Sequence, residues 1–507
     1  MVYGILKENT IIMEDRVFAE GTYLPTSSGM EGWIMEKNAS GYRLTSKENA
    51  VYEFNKDGEL VHIATGDGKG TAIVHAEGRM DITDDVTGES LHISYNGEGL
   101  ISSVYDDFGR TVSLEYIDKE LSAITGVTGG RSVYNYDGCH RMVSAVNANG
   151  IRYVQNTYDE SGRVTVQKEA GKAGVSRLSY KDREEGGVEI SILDQNGGTT
   201  TIVTDEAGKK ILERAEDGAL TEYIYDKYGN LLNERDAYGN TVMYQYDENE
   251  NLSASYDTAG NVCFFTYDEK GNVTAVKSQT GAQSLYTYDE NNRLIRNVDP
   301  LGGVTRYVYD ENGNVIRQIT DGLGADAYTY EGGKMTAHTD ANGNTESCTY
   351  DIYGNVASRT DALGNTTEFT YDAAGNVLSV KTPEGITTVY TYDAIGQKIK
   401  GTVIGADGQT RTASCTYDGA GNVLTETDTA GNVTSYQYDG MSNITKILYP
   451  DGSSESFAYD RAGNMTSQTD RTGLRTDYAY DLKRNVTAVT TAGETTGFEY
   501  YPNGKIY

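Results

Sequence analysis

The sequence predicts an all-β fold: one long run of antiparallel hairpins with no helical segment. Three observations lead there: a fixed repeat, strand-forming runs between turns, and a surplus of tyrosine. The repeat is the strongest. Tyr225-Asp226, Tyr246-Asp247, Tyr267-Asp268, Tyr288-Asp289 and Tyr309-Asp310 stand 21 residues apart (246 − 225 = 21). The beat continues through Tyr330-Glu331, Tyr350-Asp351, Tyr371-Asp372, Tyr392-Asp393, Tyr417-Asp418, Tyr438-Asp439, Tyr459-Asp460 and Tyr480-Asp481. Only the step from 392 to 417 is clearly long, as a small loop insertion would make it. A fixed period of this size means one supersecondary unit stacked many times.

Each unit contains two turns about ten residues apart, as in Asp226-Lys227-Tyr228-Gly229-Asn230 and Asp236-Ala237-Tyr238-Gly239-Asn240. Asp at the first position hydrogen-bonds backbone N–H groups further along the turn. Gly at the fourth, such as Gly229, Gly313 or Gly375, supplies the positive φ of a type I turn with a following bulge. Between turns lie runs such as Thr305–Tyr309 and Val315–Ile319, rich in Tyr, Val, Ile and Thr, which favour strands. Tyr307 and Tyr309 are two apart and so share one face of a strand. The same aromatic pair recurs at Tyr244/Tyr246, Tyr286/Tyr288, Tyr390/Tyr392, Tyr436/Tyr438, Phe457/Tyr459 and Tyr478/Tyr480. The repeat tyrosines are therefore expected on an inner or interlayer face.

Upstream the same grammar is looser. Tyr95, Tyr116, Tyr136-Asp137, Tyr158-Asp159 and Tyr180 keep the spacing, with turns at Asp106–Arg110 and Asp159–Arg163. The pattern divides the chain into a divergent N-terminal cap over 1–40 (with the one tryptophan, Trp33), degenerate repeats over 41–222 and regular repeats over 223–507. A stack of like units needs such a cap.

Composition narrows the function. Tyr numbers 41 against 8 Phe. A Tyr ring buries apolar area while its hydroxyl wants a partner or water, which suits a wet or hollow interior better than a dry core. Hydrophobic residues make up 37%, too few for a thick sandwich. The net charge of −32 repels phosphate backbones, and no basic, aromatic-studded patch appears, so nucleic acid is not a partner. Much of that acidity is turn Asp. The nine-residue and twelve-residue calcium-loop patterns are absent, so these carboxylates are expected to build turns and hold no metal. No stretch reaches membrane-spanning length, and the N-terminus lacks a signal-peptide apolar core.

Chemistry-bearing patterns are missing. His62, His75, His92, His140 and His338 share no motif spacing. Cys139, Cys263, Cys348 and Cys415 form no CxxC pair; Cys348 and Cys415 fill aromatic slots two residues before a repeat Tyr, as small apolar filler. Asp299-Pro300 is a labile bond type but sits in an ordinary turn slot. The expectation is a non-enzymatic chain without catalytic, cofactor or metal site, whose important positions are structural.

The residues also spell a family. Tyr-Val-Tyr-Asp-Glu-Asn-Gly-Asn-Val at 307–315, Phe-Thr-Tyr-Asp-Ala-Ala-Gly-Asn-Val at 369–377 and Tyr-Asp-Glu-Ser-Gly-Arg-Val-Thr at 158–165 resemble the YD repeat of Rhs proteins. Similar repeats build the cocoons of insecticidal toxin complexes and the barrel of teneurins. The resemblance implies a spiralling hollow shell, a partial or open barrel. It implies a structural encapsulation module that holds or delivers an effector in a secreted bacterial toxin. An extracellular adhesion module binding a glycan or cell-surface protein is the alternative. Implied partners are the rest of a YD shell, a toxin cargo, or such a surface ligand. On this reading the family's self-cleaving core and toxin segment are not expected within this chain, and the last strand around Phe498–Tyr501 is expected to need a neighbour.

Overall fold

In the computed structural model the described residues are 21–23, 33–46, 49–66, 69–172, 174–237, 239–501 and 505–506. Most of the expected cap, 1–20 and 24–32, lies outside them. The described residues form 46 strands and no helix. All belong to one sheet, and every strand pairs antiparallel with the strands before and after it in sequence. The sheet is already under way before residue 41: Ile34–Asn38 pairs with Gly41–Thr45, and Trp33 stacks on Tyr52 with ring centroids 6.0 Å apart.

One regular unit shows how sequence becomes shape. Strand Val304–Tyr309 runs into the turn at 310–314 and returns as Val315–Thr320. Tyr309 pairs with Val315 but Val308 pairs with Arg317, so Ile316 is an extra, bulged residue. The same register shift precedes Tyr246, Tyr267, Tyr288, Tyr371, Tyr392, Tyr438, Tyr459 and Tyr480. A β-bulge bends its strand and increases local twist. Repeated at the same end of every second strand, it coils the whole sheet.

The coil brings distant turns together. Asn49 meets Lys270, Glu89 meets Lys334, Phe108 meets Tyr353, Asn149 meets Asp393, Asn196 meets Asp439 and Glu216 meets Arg461. The offset settles at about 245 residues (353 − 108 = 245; 439 − 196 = 243). The chain is thus a spiral wall of about two windings, and the sheet itself stays open. Twenty-three strands, from Arg152–Tyr158 to Thr387–Tyr392, separate the turns that carry Asn149 and Asp393. At the usual spacing of about 4.8 Å between strands, that is a perimeter of roughly 110 Å, or a ring about 35 Å across.

The wall is one layer thick, and among the described residues no large side chain is fully buried. The buried apolar residues are Leu60, Ile73, Ala123, Ala145, Ala254 and Ala275, mostly small. Along Val304–Tyr309, Arg306 and Val308 are exposed while Tyr307 and Tyr309 are half-buried. The expectation of an interlayer face needs correcting on this point. The described residues form no second layer, and the half-buried tyrosines lie among neighbours on their own face.

Candidate functional site: the repeat turn and the seam between windings

The Tyr-Asp turn is clamped from inside. Asp310 Oδ1 accepts the Asn314 backbone N–H (2.8 Å) and Oδ2 accepts the Asn314 side-chain amide (3.0 Å). Gly313 N–H donates to the Asp310 carbonyl at 3.2 Å, with Gly313 at φ +77° and Gly375 at +87°. Asp226 has the same partners in Asn230, and Gly229 also donates its N–H to Asp226 Oδ1. Burial pushes the Asp310 carboxyl up, but the Asn314 amide and backbone donors outweigh it and hold the group below its ordinary value. At Asp361 and at exposed Asp428 the Asn side chain is the main cause of the same depression.

Where the fifth turn residue is Arg, the guanidinium takes over. Arg293 Nε donates to Asp289 Oδ2 at 2.7 Å, and its head lies 4.9 Å from the ring centroid of Tyr309 in the next unit. Arg141 and Arg163 do the same with Asp137 and Asp159, over Tyr158 and Tyr180. The looser upstream repeats therefore keep the clamp with a different donor.

The repeat tyrosines form a second connection. Tyr309 Oη–H donates to the Leu294 carbonyl at 2.7 Å, fifteen residues back on the adjacent strand. Tyr225, Tyr246, Tyr267, Tyr288, Tyr371, Tyr392, Tyr438 and Tyr480 each reach the carbonyl fifteen residues back, at 2.7 to 3.1 Å. Tyr459 holds the same bulge position opposite Met465, and Tyr307 lies opposite Gln318. This ladder explains why the position is Tyr: a Phe would fill the space and leave the carbonyl without its donor. Burial raises the Tyr309 phenol.

Other singled-out residues fall as follows. Asp299 accepts the N–H groups of Leu301 (2.8 Å) and Gly303 (2.9 Å), a turn role. Cys415 is more than filler: its thiol donates to the Lys398 carbonyl (2.9 Å) beside Tyr417 Oη. Four histidines pair with carboxylates, and His75 meets the Leu60 carbonyl. His92 is the most engaged, with Asp81 at 2.6 Å on Nδ1, Asp107 at 2.9 Å on Nε2 and Arg79 beside it. Donating hydrogen bonds to Asp81 and Asp107 raises its pKa. Among the described residues no group of three or more His, Cys, Asp or Glu is placed to hold a metal ion. None of their helices could cross a membrane, there being no helix at all.

The seam was not foreseen from the sequence. It joins the second turns of first-winding units to the Tyr-Asp turns of the second winding. Phe108 packs edge-on against Tyr353 (6.0 Å), where Arg110 also lies 5.1 Å from the ring centroid. Asn149 donates to Asp393 Oδ2 (2.9 Å) and accepts the Ala394 N–H (3.1 Å). Asn196 donates to Asp439 Oδ2 (3.0 Å), and Lys334 pairs with Glu89 (2.8 Å). The turn carboxylates thus serve twice: Asp439 also accepts the Asn443 backbone N–H and side-chain amide.

Residues 267–303, 288–326, 309–345, 350–387, 371–410, 417–454 and 459–496 match the RHS Repeat family model. No curated protein matches the chain. Among solved structures, the TcdB2-TccC3 complex without its hypervariable C-terminal region is 15% identical, with a TM-score of 0.46 over 90% of this chain and 27% of that one. TcdB2-TccC3-TEV is 14% identical, with a TM-score of 0.49 over 100% of this chain and 32% of that one. A Photorhabdus luminescens Tc holotoxin pore is 15% identical, with a TM-score of 0.44 over 91% of this chain and 30% of that one. The chain thus spans about a third or less of the length of these toxin-complex chains.

Proposed function

We propose that this chain, an RHS-repeat protein across residues 267–496, is a wall segment of a shell that encloses an effector polypeptide in an exported bacterial toxin. The observation that carries this reading is the wall itself. A sheet of 46 strands winds about twice, one layer thick, and its windings close on each other turn to turn. A protein that needed only a stable surface would bury a dry core between layers. This one spends its tyrosines on a ladder within the sheet and leaves a lumen.

The chain acts as a container and not as a catalyst. Its recurring chemistry, Asp–Asn clamps and Tyr–carbonyl bonds, is consumed in holding turns and strands together. The cargo is a polypeptide of the same protein or a partner subunit, and export outside the producing cell follows from the toxin role.

Small-angle scattering of the full chain tests the container: the pair-distance distribution should be that of a hollow cylinder. Cargo is tested by fusing an unfolded, protease-sensitive peptide to the C-terminus. Digestion markedly slower than that of the free peptide is expected. A solid-body scattering profile, or digestion of the fused peptide at the free rate, overturns the reading.

A further inference from the structure

The face opposite the repeat tyrosines is mostly polar, and it departs from that at one place. Its most regular position stands three residues before the repeat Tyr. That position holds Arg306, Ser347, Glu368, Ser435, Ser456 and Asp477, but a large apolar residue at Met243, Phe264, Leu285 and Val389. Met243, Phe264 and Leu285 fall in consecutive units and are 47%, 43% and 41% exposed. The strands between them continue the pattern. Tyr256 lies opposite Met243 on one side and Val262 on the other, and its ring meets Phe264 edge-on at 6.3 Å. Ala254 lies opposite Phe264, Ala275 opposite Leu285, and Val298 opposite Leu285 on the far side. Opposed residues of an antiparallel pair share a face. Met243, Tyr256, Phe264, Leu285 and Val298 therefore form one apolar strip from Thr241–Tyr246 to Leu294–Val298, in the middle of the wall and away from its ends. An exposed apolar strip with a polar border marks an interaction surface.

The border here is cationic. Lys277 stands opposite Phe264, Arg296 opposite Arg306, and Arg317 opposite Val308, all on this face. Among the described residues the side chains of Lys277, Arg296 and Arg317 make no hydrogen bond or ion pair; of the four cations only Arg306 is paired, with Asp321 at 2.6 Å. Like charges directly opposite one another on neighbouring strands are destabilising, and Arg296 and Arg306 are such a pair. From Thr241–Tyr246 to Val315–Thr320 the register of the strands places no carboxylate on this face. In a chain of net charge −32, these cations beside exposed Met, Phe and Leu are left unmatched from within.

We propose that this strip, bordered by Lys277, Arg296, Arg306 and Arg317, docks an acidic polypeptide segment of a partner chain that carries apolar side chains. The strands beneath are already paired on both sides, so no strand can be added there. The segment is held by its side chains: apolar ones on Met243, Phe264 and Leu285, carboxylates on the arginines. An anionic membrane offers the same two features, but the net charge of −32 repels such a surface from the rest of the molecule. The proposal goes beyond the container reading, which concerns what the wall encloses.

Fluorescence anisotropy of labelled peptides titrated with the full chain is the test. The first peptide alternates Glu with Leu and Phe, the second replaces Glu by Lys, and the third replaces Leu and Phe by Ser. The first should bind, less tightly as salt is raised, and the other two should bind about tenfold or more weakly. Phe264→Ser/Leu285→Ser and, separately, Arg296→Gln/Arg317→Gln should each weaken binding of the first peptide by about tenfold or more. Ser347, Ser435 and Ser456 already hold the same repeat position, and unchanged hydrogen exchange in the strands shows that both variants fold. A first peptide that does not bind overturns the proposal, as does binding that either double variant leaves unchanged, or equal binding of the Lys peptide. Co-sedimentation with phosphatidylserine vesicles that both variants abolish assigns the strip to a membrane. Self-association of the chain that both variants abolish assigns it to a second copy. Either result overturns the proposal. The hollow scattering profile does not depend on any of these outcomes, so the container reading stands or falls separately.

Discussion

At the scale of single residues, each recurring position of the repeat has a definite physical task. Tyr309 supplies a hydroxyl to the Leu294 carbonyl, and its ring is only half-buried. Tyr309→Phe keeps the ring and removes the donor, so it should cost about 1 kcal/mol, measured by denaturant unfolding. Gly313 sits at φ +77°, where a side chain meets its own backbone. Gly313→Val should cost about 1–2 kcal/mol from that strain. The turn aspartates predict acid sensitivity. Their folded pKa values lie below the ordinary carboxylate value of about 3.9, so their contribution is fully present above it. It is lost as pH falls through the depressed values. Circular dichroism should show unfolding in that acid window, and Asn365→Ala should shift its own turn's loss to higher pH.

At the scale of the element, the unit is a bulged hairpin that touches mainly its neighbours, so damage should stay local. Hydrogen exchange in Tyr309→Phe should rise in strands Leu294–Val298 and Val304–Tyr309 and be unchanged near residue 450. The strands Arg79–Asp84, Ser90–Tyr95 and Ile101–Asp106 carry a different sensitivity. His92 lies between Asp81 and Asp107, and its raised pKa means that these bonds favour the charged imidazolium. The stabilisation is complete below the unfolded value of about 6.5 and fades as pH rises through the raised folded value. Protection of these three strands, taken relative to the base-catalysed exchange of the unfolded chain, should therefore fall from neutral to mildly alkaline pH, and His92→Gln should abolish that fall. An identical pH profile in the variant would remove His92 from the account.

At the scale of the whole molecule, two windings are held by side chains at turn tips rather than by a ladder of backbone bonds. Several of those contacts are solvent-accessible ion pairs such as Lys334–Glu89 and Arg461–Glu216. Such pairs are individually weak and screened by salt. Phe108→Ala in high salt should part the windings while leaving the strands intact. The expected result is a larger radius of gyration with an unchanged far-ultraviolet spectrum. Unfolding of the strands together with the seam would instead show that the two are one cooperative unit.

The strands, their order and their turn chemistry were legible because each rests on residues within about twenty of one another. Tyr307 and Tyr309 share a face by alternation, and Asp310, Gly313 and Asn314 close a turn among themselves. The bulge opposite each repeat Tyr and the carbonyl that receives its hydroxyl also lie within one repeat, though their geometry appeared only in the folded sheet. The sequence alone determined an all-β meander of one repeated hairpin. The tertiary structure decided how far that meander bends per strand, and hence which turns meet. Phe108 and Tyr353 are 245 residues apart, about 11.7 repeats (245 ÷ 21), so no motif spacing marks them as partners. The winding period is a sum of small twists over some 23 strands, each set by bulge geometry and packing. A small change in twist per strand would bring a different turn opposite Phe108, which is why the seam belongs to the assembled coil and not to any local run of residues.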